Sequence, residues 1–156
     1  MNRLSQKIED FLAQKYIAVA GVSRNAKGEA ANAIYHKLKQ TGYIVYPLNP
    51  RTDTIESDLC YPNLKAISEP VDAVVIVTKP EISEQIVREC AETGVSRVWL
   101  HRSFGEGSVS QTTVNFCKEN NISIIAGGCP MMFCQPVDFP HKCMRWILQL
   151  SGKLPN

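Results

Sequence analysis

Five mostly β-prone, apolar residues, Tyr16-Ile-Ala-Val-Ala20, stop abruptly at Gly21. A polar loop, Val22-Ser-Arg-Asn-Ala-Lys27, follows, and an alanine-rich helical run begins at about Gly28. A strand, a glycine turn and a helix start in that order make a natural cradle for phosphate. The glycine lets a backbone approach closely, and the free N–H groups of a helix N-terminus point toward an anion. Arg24 and Lys27 add positive charge where a phosphate would sit, with a solvated loop cation as the plainer reading of each.

The flanking pattern alternates strands and helices. Leu4, Ile8, Phe11 and Leu12 recur at helical spacing, so residues 1–14 form an N-terminal helix before the first strand. Ala30, Ile34 and Leu38 mark the helix after the cradle, and Gly42 supplies its stop. Tyr43–Pro47 reads as the second strand and leads into Leu48-Asn-Pro-Arg51; Leu59–Tyr61 reads as a very short third one, and Asn63–Ser68 as one helical turn at most. Val71–Val77, apolar but for Asp72, is a run typical of the buried centre of a parallel sheet, ending at Thr78-Lys-Pro80. Ile82, Ile86 and Cys90 mark a helix that stops near Gly94. Arg97–Leu100 is the next strand, ending in the stretch His101–Gly105. Val109, Thr113 and Phe116 mark another helix, and Ile122–Ala126 is the last strand, terminated by Gly127-Gly-Cys-Pro130. Residues 131–156 form an irregular tail and a closing helix, with Met144, Ile147 and Leu148 on one face.

This alternation predicts an α/β fold: a Rossmann-type doubly wound parallel sheet in three layers, one domain over residues 1–156. Right-handed crossovers give the strand order 3-2-1-4-5-6, with Val71–Val77 beside Tyr16–Ala20 and the topological switch point between them. At 156 residues the chain can bury a core without staples. A net charge of +2 with no basic run argues against nucleic acid or an acidic membrane surface as partner. No apolar segment approaches the roughly 20 residues that span a bilayer. The first ten residues read as a polar amphipathic helix and not as a signal peptide, so six cysteines without a compact disulfide pattern are expected to be reduced thiols in the cytoplasm.

The usual occupant of such a crevice is a dinucleotide. The fingerprint Gly-x-Gly-x-x-Gly reads here as Gly21-Val-Ser-Arg-Asn-Ala26 and keeps only its first glycine. The acidic residue that would hold ribose hydroxyls is missing from Pro47-Leu-Asn-Pro-Arg51, where Arg51 offers a cation instead. NAD is disfavoured. NADP, or a 3′-phosphorylated adenosine such as the nucleotide end of coenzyme A, remains.

Gly-x-Ser-Arg-Asn after strand one, Tyr-Pro-x-Asn-Pro-Arg after strand two, and Tyr61-Pro-x-Leu64 leading into Pro70-Val-Asp72 together resemble the small CoA-binding-domain proteins; the Val98-Trp-Leu100 strand fits the same pattern. These are similar to the N-terminal CoA-binding domain of the succinyl-CoA synthetase α subunit, and the resemblance covers about residues 12 to 130. It implies coenzyme A or an acyl-CoA as ligand. Gly21, Val22, Ser23, Arg24 and Asn25 would form the pyrophosphate loop, and Asn49, Pro50 and Arg51 would flank the adenosine. Thr78, Lys79 and Pro80 would line the facing wall, with Cys129 and Pro130 near the pantetheine arm. Two positions depart from the family's Asn-Cys-Pro-Gly motif, which reads Gly128-Cys-Pro-Met131 here. The synthetase's second domain with its phosphorylated histidine has no counterpart, so ligase chemistry does not carry over.

Other residue groups suggest chemistry of their own. His101 and Cys129 follow neighbouring strands at the ligand end, an arrangement that could build a thiolate–imidazole nucleophile against a CoA thioester, although no oxyanion donor or orienting third residue is evident. Cys129, Cys134, His141 and Cys143 offer four potential metal ligands but no Cys-x-x-Cys pair, and buried thiols beside Met131, Met132 and Phe133 are the plainer reading. His36 is expected in solvent. The Met-Met-Phe segment and Trp146 fit either an intramolecular cover or a homodimer contact. The expected activity is binding of CoA without demonstrated catalysis, by the chain alone or beside a catalytic partner subunit. The alternative is an NADP-linked oxidoreductase or an acyl-CoA-processing enzyme using Cys129.

Overall fold

The computed structural model describes residues 3–25, 27–102 and 107–154. Ala26, the last position of the expected fingerprint, Ser103 to Glu106 after the fifth expected strand, and the chain's first two and last two residues lie outside the described residues. In chain order the elements are α1 (Arg3–Leu12), β1 (Tyr16–Ala20), α2 (Ala30–Gln40), β2 (Ile44–Leu48), β3 (Thr54–Ile55), β4 (Asp58–Leu59), β5 (Ala73–Ile76), α3 (Pro80–Thr93), β6 (Arg97–Leu100), α4 (Gln111–Glu119), β7 (Ser123–Ala126) and α5 (Phe139–Leu150). Short 3₁₀ turns occupy Leu64–Ala66 and Pro130–Met132.

The main sheet is all parallel in the order β2-β1-β5-β6-β7. Val19 stands level with Pro47 on one side and with Val75 on the other, so the first strand lies inside the sheet between β2 and β5, as expected. Alternation along the strands feeds two cores. Ile17, Val19, Val75, Trp99 and Ile125 point to the face covered by α1, α2 and the tail, where they meet Phe11, Ile34, Leu38, Met132 and Leu148. Ala18, Ala20, Val74, Ile76, Val98 and Leu100 point to the other face, against Ile86, Val87 and Cys90 of α3 and Cys117 of α4. Strands buried on both faces must be apolar throughout, which is why their sequences read as runs. Trp99 anchors the first core: it lies edge-on to Phe11 at 5.4 Å between ring centroids and donates its indole N–H to the carbonyl of Gly127 at 3.0 Å.

One element differs from expectation. The third strand, placed at Leu59–Tyr61, shrinks to a single parallel bridge between Tyr61 and Leu48, with Tyr61 N–H donating to the Pro47 carbonyl and Asn49 N–H to that of Tyr61, both at 2.9 Å. Leu59 instead belongs to the β3–β4 hairpin, which turns through Glu56 and Ser57 at positive φ. Side chains of α2 hold that hairpin: Tyr35 and Lys39 both bond Asp58, and His36, half-exposed, pairs with Glu56 at 2.9 Å. Those polar contacts draw residues 54–59 onto the helix and away from the sheet edge. The start of the helix after the cradle also shifts, from about Gly28 to Ala30.

Gly21 closes β1 at a φ of +101°, and a Cβ there would stand 2.0 Å from the carbonyl oxygen of Val77. The close approach that demands glycine is thus between two chain segments, the ends of β1 and β5. A Gly21→Ala substitution is expected to destabilise the protein by more than about 2 kcal/mol, through steric clash and left-handed strain together. Chemical denaturation checks this, and a variant within about 0.5 kcal/mol of the wild type, the range of an ordinary surface change, would show the approach to be dispensable.

Candidate functional site

The carboxyl ends of β1 and β2 carry the two loops singled out in the sequence. The first is set by a residue the sequence pattern did not reveal. Asn32, in the first turn of α2 and 1% exposed, accepts from Ser23 N–H at 2.8 Å through its side-chain oxygen and donates to the Ser23 carbonyl at 2.9 Å through its amide nitrogen. A buried asparagine that satisfies both backbone groups of one loop residue fixes that loop to the helix. Ser23 Oγ in turn accepts from Asn25 N–H at 3.2 Å. Glu29, at the N-cap of α2, makes no side-chain capping bond, so the first-turn N–H donors of the helix are left uncapped by it.

Asn49 joins the two loops. Its side-chain amide donates to the Val22 carbonyl at 2.7 Å, and its side-chain oxygen accepts from Arg51 N–H at 2.8 Å. Ser23, Arg24, Asn25, Asn49 and Arg51 consequently line one cavity of about 530 Å³, with two guanidinium-bearing side chains and no carboxylate in its lining. Asn49 thus positions the loops as well as flanking the cavity. Val22 is fully buried in the core and offers only its backbone, while Pro50 and the ends of Arg24 and Arg51 stand exposed.

Across the switch point, Thr78, Lys79 and Pro80 line a second cavity of about 440 Å³ together with His101 and Ser108. Two further buried residues brace this wall. Ser108 accepts from Thr78 N–H at 2.8 Å and donates to the Thr78 carbonyl at 2.7 Å, and Ser83 lies 2.9 Å from the Thr78 hydroxyl. Among the described residues Asn32, Ser83 and Ser108 are three of the four buried polar ones, and all three brace loops at the carboxyl end of the sheet. Isolated polar letters inside helical or loop segments carry no periodic signal, so only the fold exposes their role. Arg102 was also passed over: its guanidinium lies over Gly127, 3.1 Å from where a Cβ would be, and its N–H donates to the Gly128 carbonyl at 3.0 Å. A Cβ at residue 127 would crowd it, and the φ of +108° there strains any other residue.

Cys129 and Pro130 are buried and line neither of these two cavities. Burial pushes the Cys129 thiol up to about 11 and brings the His101 imidazole down to about 4, with the charge of His141 a smaller contribution to the latter. Both groups are therefore neutral near pH 7, the opposite of an activated thiolate–imidazolium pair. Of the four residues considered as metal ligands, Cys129 and Cys134 are core residues and His141 bonds Asp138 at 2.6 Å. Among the described residues no group of three His, Cys, Asp or Glu side chains is placed to hold a metal. The tail divides: Met132, Cys134 and Leu148 are in the core with Met144 packed against it, whereas Phe139, Trp146 and Ile147 are exposed. The face expected for Met144, Ile147 and Leu148 thus loses Ile147. No helix among the described residues is long and apolar enough to cross a membrane.

A parallel three-layer sheet with a cationic, loop-built cavity outside the carboxyl ends of its first two strands defines a small Rossmann-type protein of the nucleotide-binding class. The sequence profile of the CoA binding domain family matches residues 15–135, and the chain belongs to that family. It is 33% identical over 90 residues to an ADP-forming acetate–CoA ligase II of Archaeoglobus fulgidus, covering 56% of this chain and 13% of the ligase. It is 29% identical over 154 residues to an ADP-forming acetate–CoA ligase of Methanocaldococcus jannaschii, covering 91% of this chain and 22% of the ligase. The chain thus spans only 13% to 22% of the length of these ligases. A solved structure of a hypothetical protein from Pyrococcus horikoshii superposes with a TM-score of 0.74 at 26% identity, covering 81% of this chain and 86% of that one.

The depressed His101 makes stability pH-dependent. Above its ordinary value of 6.5 the imidazole is neutral in both folded and unfolded chains, and its contribution is fully present. As pH falls from 6.5 through about 4, the unfolded chain takes up the proton first and stability is lost. Between pH 7.5 and 4.5, urea denaturation should show His101 accounting for a loss of about 2 kcal/mol, absent from a His101→Gln variant. Equal slopes in the two proteins would contradict the buried, neutral state.

Proposed function

We propose that this protein binds coenzyme A or an acyl-CoA through its nucleotide end, with the Gly21–Asn25 and Asn49–Arg51 loops as the phosphate and adenosine site. The observation that carries the reading is the Asn49 clip, which brings Arg24 and Arg51 to one carboxylate-free cavity at the ends of β1 and β2. A 3′-phosphorylated adenosine diphosphate brings several negative charges, and two guanidinium groups with uncapped helix donors suit that charge. Residues 1–156 act as one unit in this reading, with Thr78, Lys79 and Pro80 as the facing wall. CoA fits the donor set better than NAD, because Asn49-Pro-Arg51, directly after β2, offers no carboxylate to accept from ribose hydroxyls.

The same reading makes the protein a binding module. Cys129 is buried as a neutral thiol, and the chain spans a small part of the acetate–CoA ligases it resembles. If the chain contributes to acyl-CoA chemistry, the reacting groups belong to a catalytic partner subunit, and its own task is to hold and present CoA.

Calorimetry against CoA, dephospho-CoA, NAD and NADP tests the assignment. CoA should bind tightest, dephospho-CoA about tenfold or more weakly, and an Arg51→Ala variant should lose that difference. An Asn49→Ala variant should weaken all CoA forms alike, since it unclips the loops. Tighter binding of NADP than of CoA would overturn the proposal in favour of a dinucleotide enzyme.

A further inference from the structure

A third cavity, of about 770 Å³, lies at the opposite end of the molecule, beside the beginning of β7, and is larger than either cavity at the carboxyl end. Arg3 and Lys7 reach it from α1, where their four-residue spacing puts them on one face, and Lys118 reaches it from the last turn of α4. Asn121, in the left-handed turn that closes α4 with a φ of +56°, and Ser123 add an amide and a hydroxyl. Lys7 Nζ is held in place by donating to the Ile124 carbonyl of β7 at 2.9 Å.

This is an unfavourable gathering of charge for a protein standing alone. Like charges four residues apart on a helix repel, and a third cation from another element adds to the cost. Among the described residues no carboxylate pairs with Arg3, Lys7 or Lys118, and none lines the cavity. Burial, then the charges of Arg3 and Lys118, bring the Lys7 ammonium below its ordinary range. Elsewhere among the described residues Lys39, Lys65 and Arg97 each pair with a carboxylate, Arg97 with Asp10 at 2.7 Å. A bound anion would offset the repulsion in the way that a carboxylate does for Arg97.

We propose that the Arg3–Lys7–Lys118 cavity is a second binding site, separate from the CoA site, for the phosphoryl group of a small molecule. A phosphoryl dianion matches a guanidinium fork and two ammonium point charges better than a single carboxylate does. Asn121 and Ser123 supply neutral partners for the remaining oxygens or for the rest of an ester. The ligand is either inorganic phosphate or a phosphate monoester, and the chemistry recognised is the same.

The test is a two-dimensional NMR titration of the full chain with inorganic phosphate and, separately, glycerol 3-phosphate, at ionic strength held constant with chloride. Saturable shifts of the Lys7, Ser123 and Ile124 amides are expected, weakened about tenfold in Lys118→Gln and again in Lys7→Gln. Arg51→Ala, which belongs to the other end of the sheet, should leave them unchanged. Lys118 is exposed on α4, so its substitution keeps the fold even where that of the part-buried Lys7 does not. Tighter binding of glycerol 3-phosphate identifies an ester as the ligand, and tighter binding of inorganic phosphate identifies the free ion. Non-saturating shifts reproduced by chloride, shifts confined to Ser23–Arg51, or unchanged affinity in Lys118→Gln would each overturn the second site. Loss of the second site by any of these outcomes leaves the CoA reading standing, and that reading fails only in the calorimetry.

Discussion

Everything at the ligand end of this protein is referred to one contact, the passage of Gly21 against the carbonyl of Val77. A parallel sheet can bring two adjacent strands to a common end only where the chain leaving one does not strike the other. With no Cβ and a φ of +101°, the chain leaving β1 turns there toward α2, while the chain leaving β5 continues toward Thr78 and α3. The two connections depart to opposite faces, and the crevice between them is the switch point at which Rossmann-type sheets bind ligands. Any side chain at residue 21 would push β1 and β5 apart and carry both loops with them.

From that point the site is built by polar braces. Asn32 holds the Ser23 backbone, Asn49 ties the second loop to the first, and Ser108 and Ser83 hold Thr78. A buried polar group without a partner would cost on the order of 1–3 kcal/mol, so each brace also selects the one loop geometry that satisfies it. The arginines are carried by loops whose backbones are already fixed, so the proposed binding would leave less to order. The guanidinium ends of Arg24 and Arg51 stay exposed, free to adapt to a ligand.

The chemistry that the site lacks is as informative as the chemistry it holds. Cys129 looks inviting in the sequence because it follows a strand at the ligand end. In the structure it lies in the core beside Met132, where loss of hydration raises its pKa and silences the thiol. His101 is neutral for the same reason. His101 lines a cavity and Cys129 lies in the core, both without the charge states that nucleophilic catalysis needs, which agrees with a binding role.

Much of the architecture was legible in the chain itself. Apolar stretches of strand length such as Val71–Val77 mark buried strands, here Ala73–Ile76, helical spacing of apolar residues marks α1 to α4, and Gly21, Arg24 and Arg51 mark two loops that the fold brings together, because periodicity and turn chemistry are local properties. The tertiary structure alone decided what depends on partners distant in sequence. It reduced the third strand to one bridge at Tyr61, because Tyr35 and Lys39 hold Asp58 on the helix. It gave Asn49 a structural task, buried Val22 and Cys129, and gathered Arg3, Lys7 and Lys118 from two helices far apart in the chain. Burial, pairing and charge proximity are properties of the packed molecule, and no local pattern of residues contains them.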